Sequence, residues 1–362
     1  MSNELGHRRF RRILIIKPSS FGDVIHALPV LVGLRRRYPE ARISWLVAHS
    51  CAGLLEGHAA LDEIIRFDRK RYGRVGRSVS VTWEFARFLR DLARRRFDLI
   101  IDLQGLFRSG FMALASGAGT RIGFASAREF GWMFYTHRIS VPRGDAHAVD
   151  LNRRVGGLLG FEDVPVAFHL AVRDDARADV QRLLGDAGLA AGESYILMAP
   201  GTRWETKIWP AEYFAEVARH VDTELGLRVV LCGMDSEVAI ANRVAELAGG
   251  RPVSLAGRTS LPQLIALVDG ARMVVMHDSG PMHLATALNK SMVAIYGPTS
   301  PLRTGPYGRC DAVARLDLPC SPCYLKNVAE CPHEHRCMRA LTPGMIVSRI
   351  RDCLPISQSE AS

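Results

Sequence analysis

The sequence predicts an α/β protein with two doubly wound parallel sheets, one in each of two domains. Three observations lead to this. Short apolar runs alternate with segments of helical spacing, as expected of parallel strands covered by helices on both faces. The alternation comes in two blocks, roughly residues 12–165 and 194–300, with an acidic, Ala- and Gly-rich stretch at 161–193 between them. A chain of 362 residues is long for one core and suits two.

In order, the first strand is Ile13–Ile16, stopped by Lys17, and a helix over 24–37 follows the turn-forming residues Pro18 to Gly22. Ile43–Val47 is the next buried strand, residues 84–95 carry helical spacing, and Leu99–Leu103 is a third apolar run. The second block opens on Tyr195–Met198, and Pro210, a natural first helical residue, introduces a helix over 211–224. Val229–Leu231, a helix over 261–269, Met273–Met276 and Val293–Tyr296 complete it. The predicted domains are therefore 1–170 and 171–342, the second including a cysteine-rich loop at 318–340. Pro343 opens a last helix over 344–353, and the segment 343–362 is expected to pack back on the first domain. No repeat, heptad pattern or low-complexity tract interrupts the chain.

Composition narrows the function classes. Hydrophobic residues make up 48% and charged residues 23%, ordinary for a globular protein, and no apolar run is long enough to span a bilayer. The basic N-terminal residues Arg8 to Arg12 lead into an apolar run that ends at Lys17, too short for a signal-peptide core, so a cytoplasmic location is expected. The net charge of +10 is uneven: residues 1–170 hold 27 Lys and Arg against 16 Asp and Glu, and residues 171–362 hold 20 against 21. The first half would attract an anionic macromolecule or membrane surface; solvated helix faces rich in Arg (42 Arg against 5 Lys) would give the same excess.

Both common phosphate-binding fingerprints, GxGxxG and GxxxxGK[ST], are absent, so the candidate site residues come from the loops at strand ends. Four such loops carry chemistry. KPSSFGDVIHALP (17–29) places Ser19, Ser20 and Gly22 in a loop and Asp23 at a helix start, where it reads either as a plain cap carboxylate or as a general base. APGTRWETKIWP (199–210) combines a Gly201–Thr202 turn with Lys207, a phosphate cradle or a solvated surface loop. CGMDSE (232–237) ends a strand at Gly233 and starts a helix at Glu237, a carboxylate suited to ribose hydroxyls or to capping. HDSGPMHLAT (277–286) reads as strand, tight turn and helix; its turn aims N–H groups of a helix N-terminus at an anion site beside Asp278, Ser279 and His283. The combination, each loop at a strand C-terminus, is more specific than any member.

ILIIKPSSFGDVIHALP, APGTRWETKIWP and HDSGPMHLATAL…AIYGPTSPLRTGPYG closely resemble the ADP-heptose:lipopolysaccharide heptosyltransferases, glycosyltransferase family 9, over roughly residues 12–310. DLQGLFRSG (102–110), AREFGWMFYTHRI (127–139) and HAVD (147–150) look most like its heptosyltransferase I branch. The resemblance implies the GT-B architecture, two Rossmann-like doubly wound domains facing a central cleft, and inverting transfer of L-glycero-D-manno-heptose from ADP-heptose to the Kdo (3-deoxy-octulosonate) region of the lipopolysaccharide inner core, without a metal cofactor. It implies Asp23 as catalytic base. Thr202 and Lys207 would hold the donor diphosphate with backbone contacts from Ser279, Gly280 and Pro281; Glu237 would meet the adenosine, Asp278 the heptose, and His283 would orient the loop. Ser20, Gly22, Arg69, Lys70, Arg71 and Arg128 fall where the acceptor, of Kdo-lipid A type, should bind. A peripheral position on the anionic inner membrane follows from the same resemblance.

Four of eight cysteines, Cys320, Cys323, Cys331 and Cys337, fall in one segment with His333 and His335. The first pair has metal-ligand spacing and the second is looser, which leaves a structural zinc site or packed free thiols. Cys51, Cys232, Cys310 and Cys353 read as small buried hydrophobes. Within the family, a heptosyltransferase II or an enzyme of another nucleotide-sugar has the same motifs. A nucleic-acid-binding protein would use the Arg-rich half and a Cys-rich metal site, but no helix-turn-helix or aromatic-interleaved basic stretch supports nucleic acid as a partner.

Overall fold

The structure, a computed structural model, describes residues 5–141 and 144–354. It divides into two compact units, the first ending at Ala171 and the second beginning at Val172.

In the first unit, β1 (Arg12–Ile16), β2 (Arg42–Ala48), β3 (Glu63–Phe67), β4 (Leu99–Asp102), β5 (Thr120–Phe124) and β6 (His137–Ile139) form one parallel sheet in the order β3-β2-β1-β4-β5-β6. Its helices are α1 (Phe21–Arg37), α2 (Arg69–Tyr72), α3 (Val79–Arg94), α4 (Phe107–Ala115), α5 (Ala148–Arg153) and α6 (Gly156–Leu159). The central strands are apolar on both faces because helices cover both. Leu14, Ile16 and Ile100 meet Leu92 of α3 and Met112 of α4 in one cluster.

The second unit repeats the plan with β7 (Tyr195–Ala199), β8 (Arg228–Leu231), β9 (Val253–Ser254), β10 (Met273–His277), β11 (Met292–Ile295) and β12 (Val313–Ala314). The order is β12-β11-β10-β7-β8-β9, again parallel throughout. Its helices are α7 (Asp174–Asp186), α8 (Ala211–Leu225), α9 (Val238–Leu247), α10 (Leu261–Gly270), α11 (Gly280–Ala287), α12 (Pro301–Thr304), α13 (Arg336–Arg339) and α14 (Pro343–Cys353).

Each sheet has the doubly wound order in which the chain reverses direction between its first and fourth strands. Loops leaving those two strands diverge to opposite faces and open a crevice at their carboxyl ends. In the first unit these are the loops after β1 and β4; in the second, those after β7 and β10. Three of the four motif loops leave such strands.

Two expectations need correction. The C-terminal helix α14, expected to pack on the first domain, belongs to the second unit. It packs on α8 and β11, and its buried Ile346, Val347 and Ile350 belong to the core of the second unit. The cause is its three-to-four-residue apolar spacing, which completes a cluster with Val217, Val221 and Val293. Residues 355–362 of the same predicted segment lie outside the described residues. Cys310 is exposed and Cys353 half-buried, so only Cys51 and Cys232 of that set are buried. The stretch 161–193 between the two blocks holds the boundary of the units and carries α7, which packs on α10.

Candidate active site

In the first unit, β1 delivers Lys17 to the carboxyl end of the sheet and α1 begins four residues later. Asp23 is the third residue of α1, and Ser20 is the cap. The Asp23 carboxylate accepts hydrogen bonds from the Ser20 N–H (2.9 Å) and hydroxyl (2.6 Å). The capping reading is thus correct as geometry, but Asp23 does more than cap. Lys17 lies 4.0 Å from its other oxygen, and the Lys17 ammonium donates to the Leu103 carbonyl at 2.8 Å, pinned across from β1 to β4. Burial pushes the Asp23 carboxyl upward, yet Lys17, the two Ser20 bonds and His26 outweigh it and hold it below the usual carboxylate range. Lys17 itself is lowered, chiefly by burial and also by Arg128, against the pull of Asp23 and Asp102.

Asp102 closes the network. It is fully buried at the end of β4, accepts from the N–H groups of Gln104 and Gly105, and receives the Tyr135 hydroxyl at 2.7 Å. Burial raises its pKa despite these bonds. Arg69 reaches the loop, donating to the Ser19 hydroxyl at 3.2 Å. Arg71 does not: Glu84 holds it through two 2.6 Å bonds. Lys70 is exposed beside them on α2, and Arg128, whose N–H donates to the Gly105 carbonyl, is exposed on the other flank. Gly22 sits in the first turn of α1, where N–H groups have no intrahelical acceptor. Sequence reasoning missed Lys17, although its place directly after an apolar strand was a signal.

This arrangement gives a pH prediction. With Lys17 present, Asp23 stays ionised to lower pH. In Lys17→Met the carboxyl protonates at higher pH, so the acid limb of kcat/KM should move up the pH scale, measured as a pH–rate profile. An unmoved limb alongside wild-type rates would show that Lys17 does not act on Asp23.

In the second unit, β7 leads into Gly201 and Thr202, and β10 leads into Asp278. The Lys207 ammonium donates to Asp278 Oδ2 at 2.6 Å, and the Thr299 hydroxyl donates to the same oxygen at 2.8 Å. Both members of the ion pair are largely shielded, with 14% and 7% of their side chains exposed. Ser279 caps α11, with Gly280 and Pro281 in its first turn and buried His283 behind. A cation, a carboxylate and a helix N-terminus therefore stand together at the carboxyl ends of neighbouring strands. His277, fully buried and driven down to about 3 by burial, accepts from the Trp209 N–H at 2.9 Å and ties the Lys207 loop to β10.

The third motif joins the same place. Glu237 accepts from the Met234 N–H, and its side chain lies across two glycines. A Cβ at Gly201 would fall 2.5 Å from Glu237, and one at Gly233 would fall 3.0 Å from it. Glycine at those positions is what lets the carboxylate settle over the Gly201–Thr202 turn.

The cysteine-rich loop braces this site. The Thr206 hydroxyl donates to the Leu325 carbonyl (2.6 Å), His335 Nε2 donates to the Thr206 carbonyl (2.6 Å), and the Val328 N–H donates to Glu205. Lys207 and Lys326 both approach the Trp204 ring, at 4.5 and 5.3 Å. The Cys337 thiol is pushed up to about 11, first by burial and then by Cys323, Cys331 and Cys320 nearby. Among the described residues, no group of three or more His, Cys, Asp or Glu stands in an arrangement that could hold a metal ion. His335, which lies within the cysteine segment, is bonded to Thr206.

Residues 85–333 match the sequence profile of glycosyltransferase family 9 (heptosyltransferase). The chain belongs to this family. Lipopolysaccharide heptosyltransferase 1 of Pseudomonas aeruginosa is 33% identical over 327 residues, 89% of each chain. The structure of the Escherichia coli heptosyltransferase WaaC with ADP-2-deoxy-2-fluoro heptose superposes with a TM-score of 0.74 at 26% identity, covering 94% of this chain and 99% of that one. The family 9 protein of Veillonella parvula shares the fold, with a TM-score of 0.82 at 24% identity over 98% and 99% of the two chains. This family 9 glycosyltransferase has the GT-B fold class, and its two doubly wound sheets carry three of the four motif loops at their switch points.

Proposed function

We infer that this enzyme transfers L-glycero-D-manno-heptose, with inversion, from ADP-heptose to the Kdo region of the lipopolysaccharide inner core. The observation that carries this is the Lys207–Asp278 pair at the N-terminus of α11, where positive charge for a diphosphate adjoins an acceptor for sugar hydroxyls. The identity to heptosyltransferase 1 enzymes supports the choice of heptose and of the first heptosyl step.

The reaction is a direct displacement. Asp23, already ionised, takes the proton of the acceptor hydroxyl as that oxygen bonds to the anomeric carbon of the donor, and the bond to the ADP oxygen breaks on the opposite side. Lys207 and the first-turn N–H groups of α11 receive the charge that accumulates on the leaving diphosphate, a role a divalent cation fills elsewhere, so catalysis proceeds without a metal cofactor. Thr202 and Ser279 flank the diphosphate, Glu237 takes the adenosine ribose, and Arg69 and Arg128 take the acceptor's carboxylates and phosphates. No helix among the described residues is long and apolar enough to cross a membrane. The proposed place of action is the cytoplasmic face of the inner membrane, where a nucleotide-sugar meets a lipid-anchored acceptor.

The test offers purified protein a panel of nucleotide-sugars with Kdo-lipid A, and separately with the same acceptor already carrying one heptose. ADP release that needs both ADP-heptose and Kdo-lipid A is the expected result. Transfer only to the heptosylated acceptor would assign the second step instead, and transfer from another nucleotide-sugar would overturn the donor.

A further inference from the structure

Large apolar side chains are conspicuously exposed in one region. Of the eleven described residues of this kind, seven lie between Val79 and Met133, so they are not scattered. On α3, Val81 and Leu92 are buried and Phe85 and Phe88 pack on the core. The opposite stripe runs Val79, Trp83, Arg87, Arg90 and Arg94 at three- and four-residue steps, with Val79 77% and Trp83 71% exposed. The neighbouring α4 presents Phe107, Phe111 and Leu114 at the same spacing. The Phe107 and Phe111 rings stack at 6.4 Å, and Phe134 meets Phe107 edge-on at 5.1 Å.

The turn Gly131–Phe134 lies on α4 because two glycines allow it. A Cβ on Gly110 would be 2.8 Å from the Gly131 carbonyl, and one on Gly131 would be 2.9 Å from Leu106 backbone. This close approach sets Phe130 and Met133, 68% and 60% exposed, beside the α4 stripe. Among the described residues these side chains stay exposed, and burying them in water-free surroundings elsewhere is worth more than leaving them wet.

The charge around them is one-sided. Residues 69–138 hold 14 Lys and Arg against 5 Asp and Glu, and one of those acids, Asp102, is fully buried. Aromatic side chains flanked by arginines, on helices amphipathic in this sense, fit the interface of an anionic bilayer, where rings settle at headgroup depth and guanidinium groups meet lipid phosphates. Arg128 lies two residues before Phe130 and electrostatically within reach of Lys17, so the face adjoins the acceptor side of the site.

We propose that the outer face of α3, α4 and the Gly131–Phe134 turn docks on an anionic phospholipid bilayer and so presents the enzyme to a membrane-anchored acceptor. The choice of bilayer over protein follows from the charge complementarity, and the proposal rests on the acceptor being lipid-linked as inferred above. Docking itself needs neither donor nor acceptor, which keeps its test separate from that of the function.

The test is flotation of the full chain with vesicles of phosphatidylethanolamine and phosphatidylglycerol, and with phosphatidylcholine alone, both free of acceptor. Wild type should float with the anionic vesicles and not with phosphatidylcholine. Arg87→Gln/Arg90→Gln/Arg94→Gln should weaken that binding by about a hundredfold. Trp83→Ser/Phe107→Ser/Phe111→Ser should abolish stable binding, while both variants keep wild-type transfer to a deacylated, water-soluble acceptor. Wild-type flotation by the serine variant would overturn the assignment. So would flotation only when acceptor lipid is present, which would make the patch an acyl-chain subsite, or a dimer that the serine variant dissolves, which would make it a protein interface.

Discussion

Asp23→Ala should lower kcat by about 10²–10⁴, the range for loss of a positioned general base, while ADP-heptose binds as before. The residue stands on α1 in the first unit, whereas the residues proposed to hold the donor stand in the second, so donor affinity has no reason to change. The variant also loses the Ser20 cap bonds, an effect of about 0.5–2 kcal/mol on the helix end. Asp23→Asn separates the two effects, since its amide keeps an acceptor for the Ser20 N–H but cannot accept the proton in catalysis. Both variants should be equally slow, and only the alanine should melt earlier. Turnover near wild type in either one would falsify the base assignment.

Lys207→Met should be the other severe change, and it should act twice. Loss of one preorganised cation at the leaving group costs about 10²–10³ in rate. It also leaves Asp278 buried without its cation, beside the Thr299 and Tyr296 hydroxyls. Removing one partner of a buried pair destabilises by about 3–5 kcal/mol, an upper figure here because Thr299 remains and water can enter. The double variant Lys207→Met/Asp278→Asn should recover the melting temperature and none of the rate. Initial rates and thermal denaturation of the single and double variants read the two consequences separately; recovery of rate in the double variant would show that Lys207 served only to neutralise Asp278.

The central strands were legible within about one residue of their observed limits because central parallel strands are buried on both faces and read as continuous apolar runs. The outer strands were not. β3, β6, β9 and β12 are short or carry Glu, Arg and Ser, because the sheet edge sees solvent and tolerates them. Helix α3 was predicted to begin at 84 and begins at Val79, since its β-branched first turn carries no helix signal of its own. The cysteine spacing raised zinc or packed thiols and gave no sign of the loop's contacts: in the structure His335 is bonded to Thr206 and the loop holds the Lys207 segment in place. Sequence distance hid that contact: Thr206 and His335 are 129 residues apart.

By itself the sequence determined the two-block α/β plan, the four strand-end loops and the residue types in them, because burial periodicity and turn chemistry are local and survive without coordinates. Tertiary structure alone decided which of those residues meet. Strand order places the loops after β1 and β4, and after β7 and β10, side by side. That order ties Lys17 to the Leu103 carbonyl, makes Asp278 a charge partner of Lys207, and lays Glu237 across Gly201. It also settled that α14 completes the second core and that the aromatic stripes of α3 and α4 remain outside the first. The physical reason is that a pairwise Coulomb or packing term depends on separation in space, which a chain specifies only after its strands have been ordered into a sheet.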